Sequence, residues 1–312
     1  MKNLRKLFAP LSIVLLSVVV FSSCKKDDPV AAPKDITDVA IGDAQFSTLV
    51  AALTKANLVT TLKGTGPFTV FAPNNAAFTK AGITSLDNQS AAALTPILTS
   101  HVLSGTVKAA DVKSGAVSTV NTANQIYLSK NTDGVFINGN IKVIATDVTA
   151  SNGVIHVIDN VIIPPTQNLV TIAAGNTNFS ELVSLVGAAD PAVGAALTNA
   201  SANGLTVFAP TNAAFTELYR TTPKATLLLP ANRGLLTNVL LYHVVPGRVF
   251  STDLPNVGAT EVQTALSTGK VSFDLAGGAK VKGKASGNSN ITSANILATN
   301  GVIHVIDKVL LP

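Results

Sequence analysis

The chain of 312 residues contains one cysteine, Cys24, so it cannot form a disulfide bond within itself. Tryptophan is absent and only three tyrosines occur, so the aromatic platforms of a deep sugar-binding cleft are lacking. A zinc site built from cysteines is excluded as well. Since 47% of the residues are hydrophobic, the sequence predicts domains that fold around ordinary apolar cores.

Charged residues are also scarce, at 12% of the chain. The net charge of +5 falls to +2 without residues 1–23, because that stretch holds three of the 22 basic residues and none of the 17 acidic ones. The remaining lysines are scattered and do not form a basic stripe. Nucleic acid is therefore not expected as a partner.

Motifs of catalysis and of cofactor binding are missing from the sequence. It has no GxSxG element, no P-loop and no dinucleotide fingerprint. Metal ligands do not cluster at the spacings that metal sites use. We therefore expect no enzyme, no cofactor and no metal, and a hydrolase with a scattered triad is the less favoured alternative.

The N-terminus has the pattern of an export signal. Lys2, Arg5 and Lys6 precede an apolar run too short to span a bilayer comfortably, which predicts a signal peptide at residues 1–23. The run ends in FSSC and so resembles a bacterial lipoprotein signal, which implies that Cys24 is lipidated. Residues 24–34 then form a linker. Its charged start, KKDD, resembles the tetrad of lipoproteins that are sent to the exterior of the outer membrane, although a plain solvated linker remains the alternative.

Two long segments of the sequence occur twice. FTVFAPNNAAFTK at 68–80 returns as LTVFAPTNAAFTE at 205–217, and NGVIHVIDNVIIP at 152–164 returns as NGVIHVIDKVLLP at 300–312. A repeat of this length indicates a duplicated globular domain, because solenoid repeats are much shorter. We assign the two copies to residues 35–164 and 165–312.

Each copy has the same order of predicted elements. Apolar residues at i, i+3, i+4 and i+7 from Phe46 predict a helix capped by Asp43, and the same spacing returns from Phe179, with Asn178 or Ser180 near its start. Next come TVFAP, a strand ended by proline, and a helix capped by Asn74 or Asn75 in one copy and by Thr211 or Asn212 in the other. Asn138 and Gly139 predict a hairpin among the later strands. Helices followed by strands indicate the α+β class with a largely antiparallel sheet.

Three of these segments together identify a family. TVFAPTNAAF, the Tyr242–His243 pair and NGVIHVIDKVLLP resemble, in order, the three signatures of fasciclin-like domains. The resemblance implies two tandem domains, each a β-wedge or sandwich of about seven strands with several helices. It also implies extracellular adhesion or binding without catalysis. The first copy departs from the pattern, since Ser100 stands where the family has tyrosine.

All four histidines, His101, His156, His243 and His304, lie within the repeated signatures. We expect core residues bonded to the backbone rather than metal ligands. His156 and Asp159 are three apart in a predicted strand, so they should point to opposite faces. Asp147 aligns with Asn295, which rules out a carboxylate site shared by both copies.

Candidate contacts with a partner concentrate in the second copy. Tyr and Arg are enriched in binding hot spots, and Tyr219, Arg220, Arg233, Tyr242, His243 and Arg248 are therefore the candidate binding residues; ordinary surface or framework roles are the alternative. The expected partner is a protein or polysaccharide of a matrix or cell surface, and the membrane is reached through the lipid anchor. A passive spacer or an assembly subunit of a cell-envelope complex is the alternative function.

Two further patterns concern the surface and the linker. Lys280, Lys282 and Lys284 alternate, so they either protect an exposed sheet edge from pairing or bind an anionic polymer. The linker Pro164–Gln167 is short and contains two prolines, which predicts a fixed arrangement of the two domains.

Overall fold

The computed structural model describes residues 32–198, 203–257 and 260–312. The predicted signal peptide at 1–23, Cys24 and most of the predicted linker lie outside the described residues. The two sequence copies form two similar α+β domains in succession, and each has the element order that the sequence predicted.

The helices of the first domain are α1 Ile36–Ile41, α2 Ser47–Lys55, α3 Val59–Leu62, α4 Asn75–Lys80 and α5 Ala91–Thr99. Its strands are β1 Phe68–Pro73, β2 Val102–Ser104, β3 Gly115–Ser118, β4 Gln125–Asn131, β5 Gly134–Ile137, β6 Ile141–Ala150 and β7 Gly153–Ile158. Short 3-10 turns occur at Ala44–Phe46 and Ala109–Asp111.

The helices of the second domain are α6 Leu169–Ala174, α7 Ser180–Ala188, α8 Pro191–Thr198, α9 Asn212–Leu218, α10 Lys224–Leu227, α11 Arg233–Tyr242 and α12 Leu254–Val257. Its strands are β8 Leu205–Pro210, β9 Val244–Pro246, β10 Val262–Gln263, β11 Lys270–Asp274, β12 Lys280–Gly283, β13 Gly287–Ala298 and β14 Gly301–Ile306. The 3-10 turns here are Thr177–Phe179 and Pro230–Asn232.

Each domain has one seven-stranded sheet. The strand orders are β2-β1-β7-β6-β5-β4-β3 and β10-β11-β12-β13-β14-β8-β9. The β1–β7 and β8–β14 pairs are parallel and the remaining neighbours are antiparallel. The predicted fold class, strand number and largely antiparallel sheet are therefore confirmed.

Helix starts follow the capping chemistry of the sequence. Asn74 and Thr211 accept hydrogen bonds from the backbone of the first turn of α4 and α9, as expected for N-cap residues. Asp43 caps the 3-10 turn that leads into α2, as predicted. In the second copy the equivalent cap of the 3-10 turn is Asn176, and α7 starts at Ser180, one of the two residues expected near its start.

The predicted Asn138–Gly139 hairpin is present between β5 and β6. Both residues have positive φ, 51° and 72°, and Ile137 pairs with Ile141. The loop therefore has three residues, 138–140, rather than the two of the simplest hairpin.

The long strands β6 and β13 carry an equivalent irregularity. Their pairing with β7 and β14 shifts register twice, and Asp147 and Asn295 have positive φ, 59° and 63°. A bulge of this kind bends a strand. The aligned positions therefore share a backbone conformation although their side chains differ.

Each domain has two hydrophobic clusters. In the first domain, one cluster joins the helices to β1 and β7 and includes Phe46, Leu49 and Phe78. The other lies among the strands and includes Phe71 and Ile137. The second domain repeats this arrangement, so both faces of its sheet are also buried.

The alternating lysines do not lie on an edge strand. β12, which contains Lys280 and Lys282, pairs with β11 on one side and β13 on the other. Lys284 follows the strand. The prediction that these lysines protect a sheet edge is therefore wrong.

Within the described residues, no single helix has the length and hydropathy needed to cross a membrane. The bent pair Thr177–Ala188 and Pro191–Thr198 meets that test only when both parts are taken together.

Candidate functional site

Tyr242 is a core residue. It ends α11 with none of its side chain exposed. Its hydroxyl donates to the carbonyl oxygen of Lys270 and accepts from the backbone N–H of Lys284. The predicted contact between Tyr242 and a partner is therefore wrong, because the side chain has no surface to offer and instead joins α11 to the sheet.

His243 is buried beside it and bridges two backbone groups. Nε2 accepts from the N–H of Leu310 at 2.9 Å, so Nδ1 carries the proton and donates to the carbonyl oxygen of Val239 at 2.7 Å. Burial lowers the pKa of His243 from 6.5 to about 4. The ring is therefore neutral and inaccessible, and the prediction that His243 binds a partner is also wrong.

The other three histidines also bond to the backbone. His101 repeats the arrangement of His243, with Ile97 and Ile162 as its partners, and burial likewise lowers its pKa to about 4. His156 and His304 accept at Nδ1 from the backbone of Asp147 and Asn295. Through Nε2 they donate to the carbonyl oxygens of Val107 and Val249. These contacts confirm the expected framework role.

The carboxylate of Asp159 contacts two lysine residues. It accepts from the backbone N–H of Lys142 at 2.7 Å and pairs with the ammonium group of Lys80 at 2.7 Å. His156 contacts neither oxygen. The two residues thus form no catalytic dyad, as their spacing predicted.

Arg248, another predicted contact, lies where the two domains meet. It donates from Nη1 to the hydroxyl of Tyr127 on β4 of the first domain at 2.6 Å, and its guanidinium lies 4.6 Å from the centre of that ring. Nη2 donates to the carbonyl oxygen of Thr299 at 2.7 Å. A Cβ at position 204 would lie 2.5 Å from Nη1, so Gly204 makes room for the arginine.

A second set of contacts crosses the same boundary at Asn295. Its side-chain amide donates to the carbonyl oxygen of Gly139 at 3.0 Å and to the side-chain oxygen of Asn140 at 2.8 Å. Asn140 donates back to the carbonyl oxygen of Asn295 at 3.1 Å. The contacts of Arg248 and Asn295 across this boundary are together called the seam below.

Two cavities border Arg248 at the seam. The first has a volume of about 270 Å³ and a mainly polar lining that includes Asn124, Gln125, Tyr127 and Thr299. The second has a volume of about 380 Å³. Asp253 is among the residues that line it, whereas no acidic residue appears in the described lining of the first.

The remaining tyrosine of the second domain is held by neighbours. Tyr219 donates its hydroxyl proton to Glu181 at 2.9 Å, and Lys224 pairs with the same carboxylate at 2.7 Å. Burial and the bond to Glu181 raise the pKa of Tyr219. The hydrogen bonds from Lys224 and Tyr219 lower the pKa of Glu181. Tyr219 is half-buried and remains a candidate contact through its outer edge.

Arg220 and Arg233 are exposed. Arg220 pairs with Glu217 at 3.1 Å on the surface. Arg233 begins α11 next to three exposed leucines, Leu228 (42%), Leu229 (52%) and Leu235 (51%). Residues 228–235 are called the Leu–Arg segment below.

Two residues of the Leu–Arg segment are replaced by alanine in the first domain. Counted back from the aligned histidines, the first-domain residues at the positions of Arg233 and Leu235 are Ala91 and Ala93, on α5. The sequence predicted Arg233 as a contact residue but not the leucines. The apolar run LLLP at 227–230 was the signal that could have indicated them.

In the part of the chain that the structure describes, no group of three or more His, Cys, Asp or Glu residues is placed to hold a metal ion.

Comparison with known proteins identifies the family. The fasciclin domain matches residues 44–164 and 177–312. The chain belongs to the fasciclin domain family. Protein sll1483 of Synechocystis sp. is 46% identical over 134 residues, which are 42% of this chain and 73% of that protein.

Larger animal proteins match over more of the chain. Human periostin is 26% identical over 282 residues, 89% of this chain and 31% of periostin. Rat stabilin-2 is 33% identical over 212 residues, 62% of this chain and 14% of stabilin-2. The solved domain pair of the insect cell adhesion molecule Fasciclin I is 20% identical, with a TM-score of 0.43, over 88% of this chain and 96% of that one. Fasciclin domains occur in adhesion proteins, which fits a binding role.

Proposed function

We propose that the mature chain is a lipid-anchored binding module of the bacterial outer membrane, exposed on the cell surface, which holds a partner without catalysis. The lipoprotein-like start at Cys24 supports the anchor. Membership of a family found in adhesion proteins supports the binding role.

The observation that carries the binding role is the Leu–Arg segment. Three exposed leucines within eight residues are unusual for a protein surface, and apolar patches with polar rims mark interaction sites. Arg233 adds a side chain that is enriched in hot spots. This combination favours a protein partner over a polysaccharide. Tyr219 and Arg220 precede the segment in the chain and remain candidate contacts.

A pull-down tests the segment. The chain from Lys25 onward is used as bait on envelope and matrix extracts, beside the variant Arg233→Ala, Leu235→Ala, which copies the residues of the first domain and keeps good helix formers. Leu275→Ala, at another exposed leucine (42%), is the matched control. A partner lost only with the double variant supports the proposal. A partner that all variants retain contradicts the assigned surface.

The anchor is tested by metabolic labelling of the full chain with a fatty acid. Label should enter the native chain and be absent from Cys24→Ser. Protease added to whole cells should remove the domains if they face the exterior, and full protection would contradict surface exposure.

A passive spacer or an assembly subunit is the alternative function. The seam favours it, because the hydrogen bonds of Arg248 and Asn295 join the two domains as a rigid connection would require. If no extract yields a partner in the pull-down, the spacer or assembly-subunit function is favoured.

A further inference from the structure

Arg248 carries a partly desolvated charge without a counter-ion. Its hydrogen-bond acceptors are the hydroxyl of Tyr127 and the carbonyl oxygens of Ala298 and Thr299, which are all neutral. Among the described residues it forms no salt bridge, and its Nε has no hydrogen-bond partner. Burial of a charge is costly unless an opposite charge compensates it.

The polar cavity at the seam provides a place for a negatively charged group that would compensate the charge of Arg248. Its volume of about 270 Å³ is near the lower limit for small-molecule sites, so it suits a small ligand or one unit of a polymer. Asn124 and Gln125 supply amide groups from the first domain, and Thr299 supplies polar groups from the second. The second cavity is less suitable, because Asp253 would repel an anion there.

We propose that the polar cavity beside Arg248 binds a carboxylate, either a free small carboxylic acid or an acidic sugar unit of a polymer. Arginine binds carboxylates through charge-assisted hydrogen bonds, which are stronger than neutral ones. Both domains contribute to the cavity, so the ligand should also strengthen the seam. The site is distinct from the Leu–Arg segment.

Thermal unfolding of the chain from Lys25 onward tests the proposal at constant ionic strength. The probes are glucuronate, acetate and polygalacturonate, with glucose and sodium chloride as neutral and ionic controls. Glucuronate should raise the melting temperature, because a ligand that binds only the folded state stabilises it. Glucose should have no effect. Equal responses to glucuronate, polygalacturonate, acetate and sodium chloride would overturn the proposal.

The same melting-temperature measurements distinguish a free acid from a polymer as the source of the carboxylate. A larger shift with polygalacturonate than with glucuronate assigns a polymer as the ligand, and a shift with glucuronate or acetate alone assigns a free small acid. Both results support carboxylate binding.

The matched variants are Asn124→Asp and Asn238→Asp. The first places a carboxylate in the cavity, and the second places the same charge on an exposed part of α11. Asn124→Asp should melt higher without ligand and bind glucuronate about tenfold or more weakly, because it gives Arg248 a counter-ion and repels the probe. Asn238→Asp and Arg233→Ala, Leu235→Ala should keep the native response. An unchanged response in Asn124→Asp would overturn the proposal.

Discussion

A neutral histidine ring can accept a hydrogen bond at one nitrogen and donate one at the other. His101 and His243 use both capacities on backbone groups that lie far apart in sequence. His243 links Val239 in α11 to Leu310 near the end of the second domain. A buried backbone group without a partner costs about 1–3 kcal/mol, so each ring stabilises its domain only while it is neutral.

This arrangement predicts a stability that falls in mild acid. The pKa of His101 and His243 is about 4 in the folded chain against 6.5 ordinarily, so the unfolded state takes up protons first as the pH falls. Their contribution to the free energy of unfolding is complete above pH 6.5 and is lost as the pH falls from 6.5 to about 4. The loss amounts to at most about 3 kcal/mol for each ring. Urea unfolding at pH 7.5, 6 and 5 measures the loss.

The matched variant is His243→Phe. It should be less stable than the native chain at pH 7.5, because Leu310 N–H and Val239 C=O lose their partner. Its loss of stability between pH 7.5 and 5 should be smaller than the native loss but should not disappear, because His101 and His304, whose pKa values are also lowered by burial, are still present. Glu181 and Asp307, whose pKa values are lowered, titrate below this range. A native loss retained in full by His243→Phe would contradict the assignment.

The sequence could predict the backbone-bonded role of the histidines but not the burial of Tyr242. The duplicated positions showed that the histidines belong to the framework. Whether a tyrosine at the end of a helix faces solvent depends on which strand lies beneath it. Here the acceptor at Lys270 comes from a strand 28 residues further along the chain, and no local pattern reveals that contact.

Elements follow the sequence more closely than side-chain environments do. Apolar spacing, capping residues and the Asn138–Gly139 turn were enough for the main helices and the hairpin. The error at β12 has a different origin. The order of strands is set by long-range pairing, as in the parallel β8–β14 pair, so a stretch of alternating lysines does not reveal whether its strand has one neighbour or two.

The packing under the helices differs between the two domains at one equivalent place. An apolar cavity of about 80 Å³ lies under the helices of the second domain, against about 20 Å³ at the equivalent place in the first. Val186 on α7 lines the larger cavity, and the residue at the same helical position in the first domain is Leu53. The shorter side chain leaves space that a leucine would fill.

Val186→Leu should therefore stabilise the second domain. Filling an existing cavity with one methylene group is expected to raise the free energy of unfolding by about 0.5–1.5 kcal/mol. The reverse change in the first domain, Leu53→Val, should lower it by a similar amount. Urea unfolding of both variants at pH 7.5 provides the measurement, and a destabilising Val186→Leu would show that the cavity cannot accept the longer side chain.

At the scale of the whole molecule, the seam joins two domains that share one fold as duplicated copies. The side chain of Asn295 donates a hydrogen bond to the hairpin of the first domain. The aligned Asp147 is exposed, and its carboxylate accepts a hydrogen bond from the N–H of Ala109 within its own domain. Phe250 packs against Tyr127 at the same boundary. The sequence predicted a fixed arrangement from the linker prolines alone. It could not show these contacts, because they join residues more than 100 positions apart.

Gly139→Ala tests whether the seam fixes the arrangement of the domains. A Cβ at this position would lie 2.7 Å from Cγ of Asn295 and 2.8 Å from Cβ of Phe250, and φ is +72°. Gly82→Ala is the matched control, since φ is +75° and no atom lies within 4 Å of the added Cβ. Both variants carry similar backbone strain, so any difference between them reports the clash.

Small-angle scattering should fit a single arrangement for the native chain and for Gly82→Ala. For Gly139→Ala it should require a broad distribution of interdomain distances, because the alanine pushes the hairpin away from Asn295. Limited proteolysis should then cut near the linker faster in Gly139→Ala alone. A broad distribution in the native chain would mean that the contacts of Arg248 and Asn295 are too weak to hold the domains, since hydrogen bonds at a partly solvated boundary contribute only about 0.5–1.5 kcal/mol each.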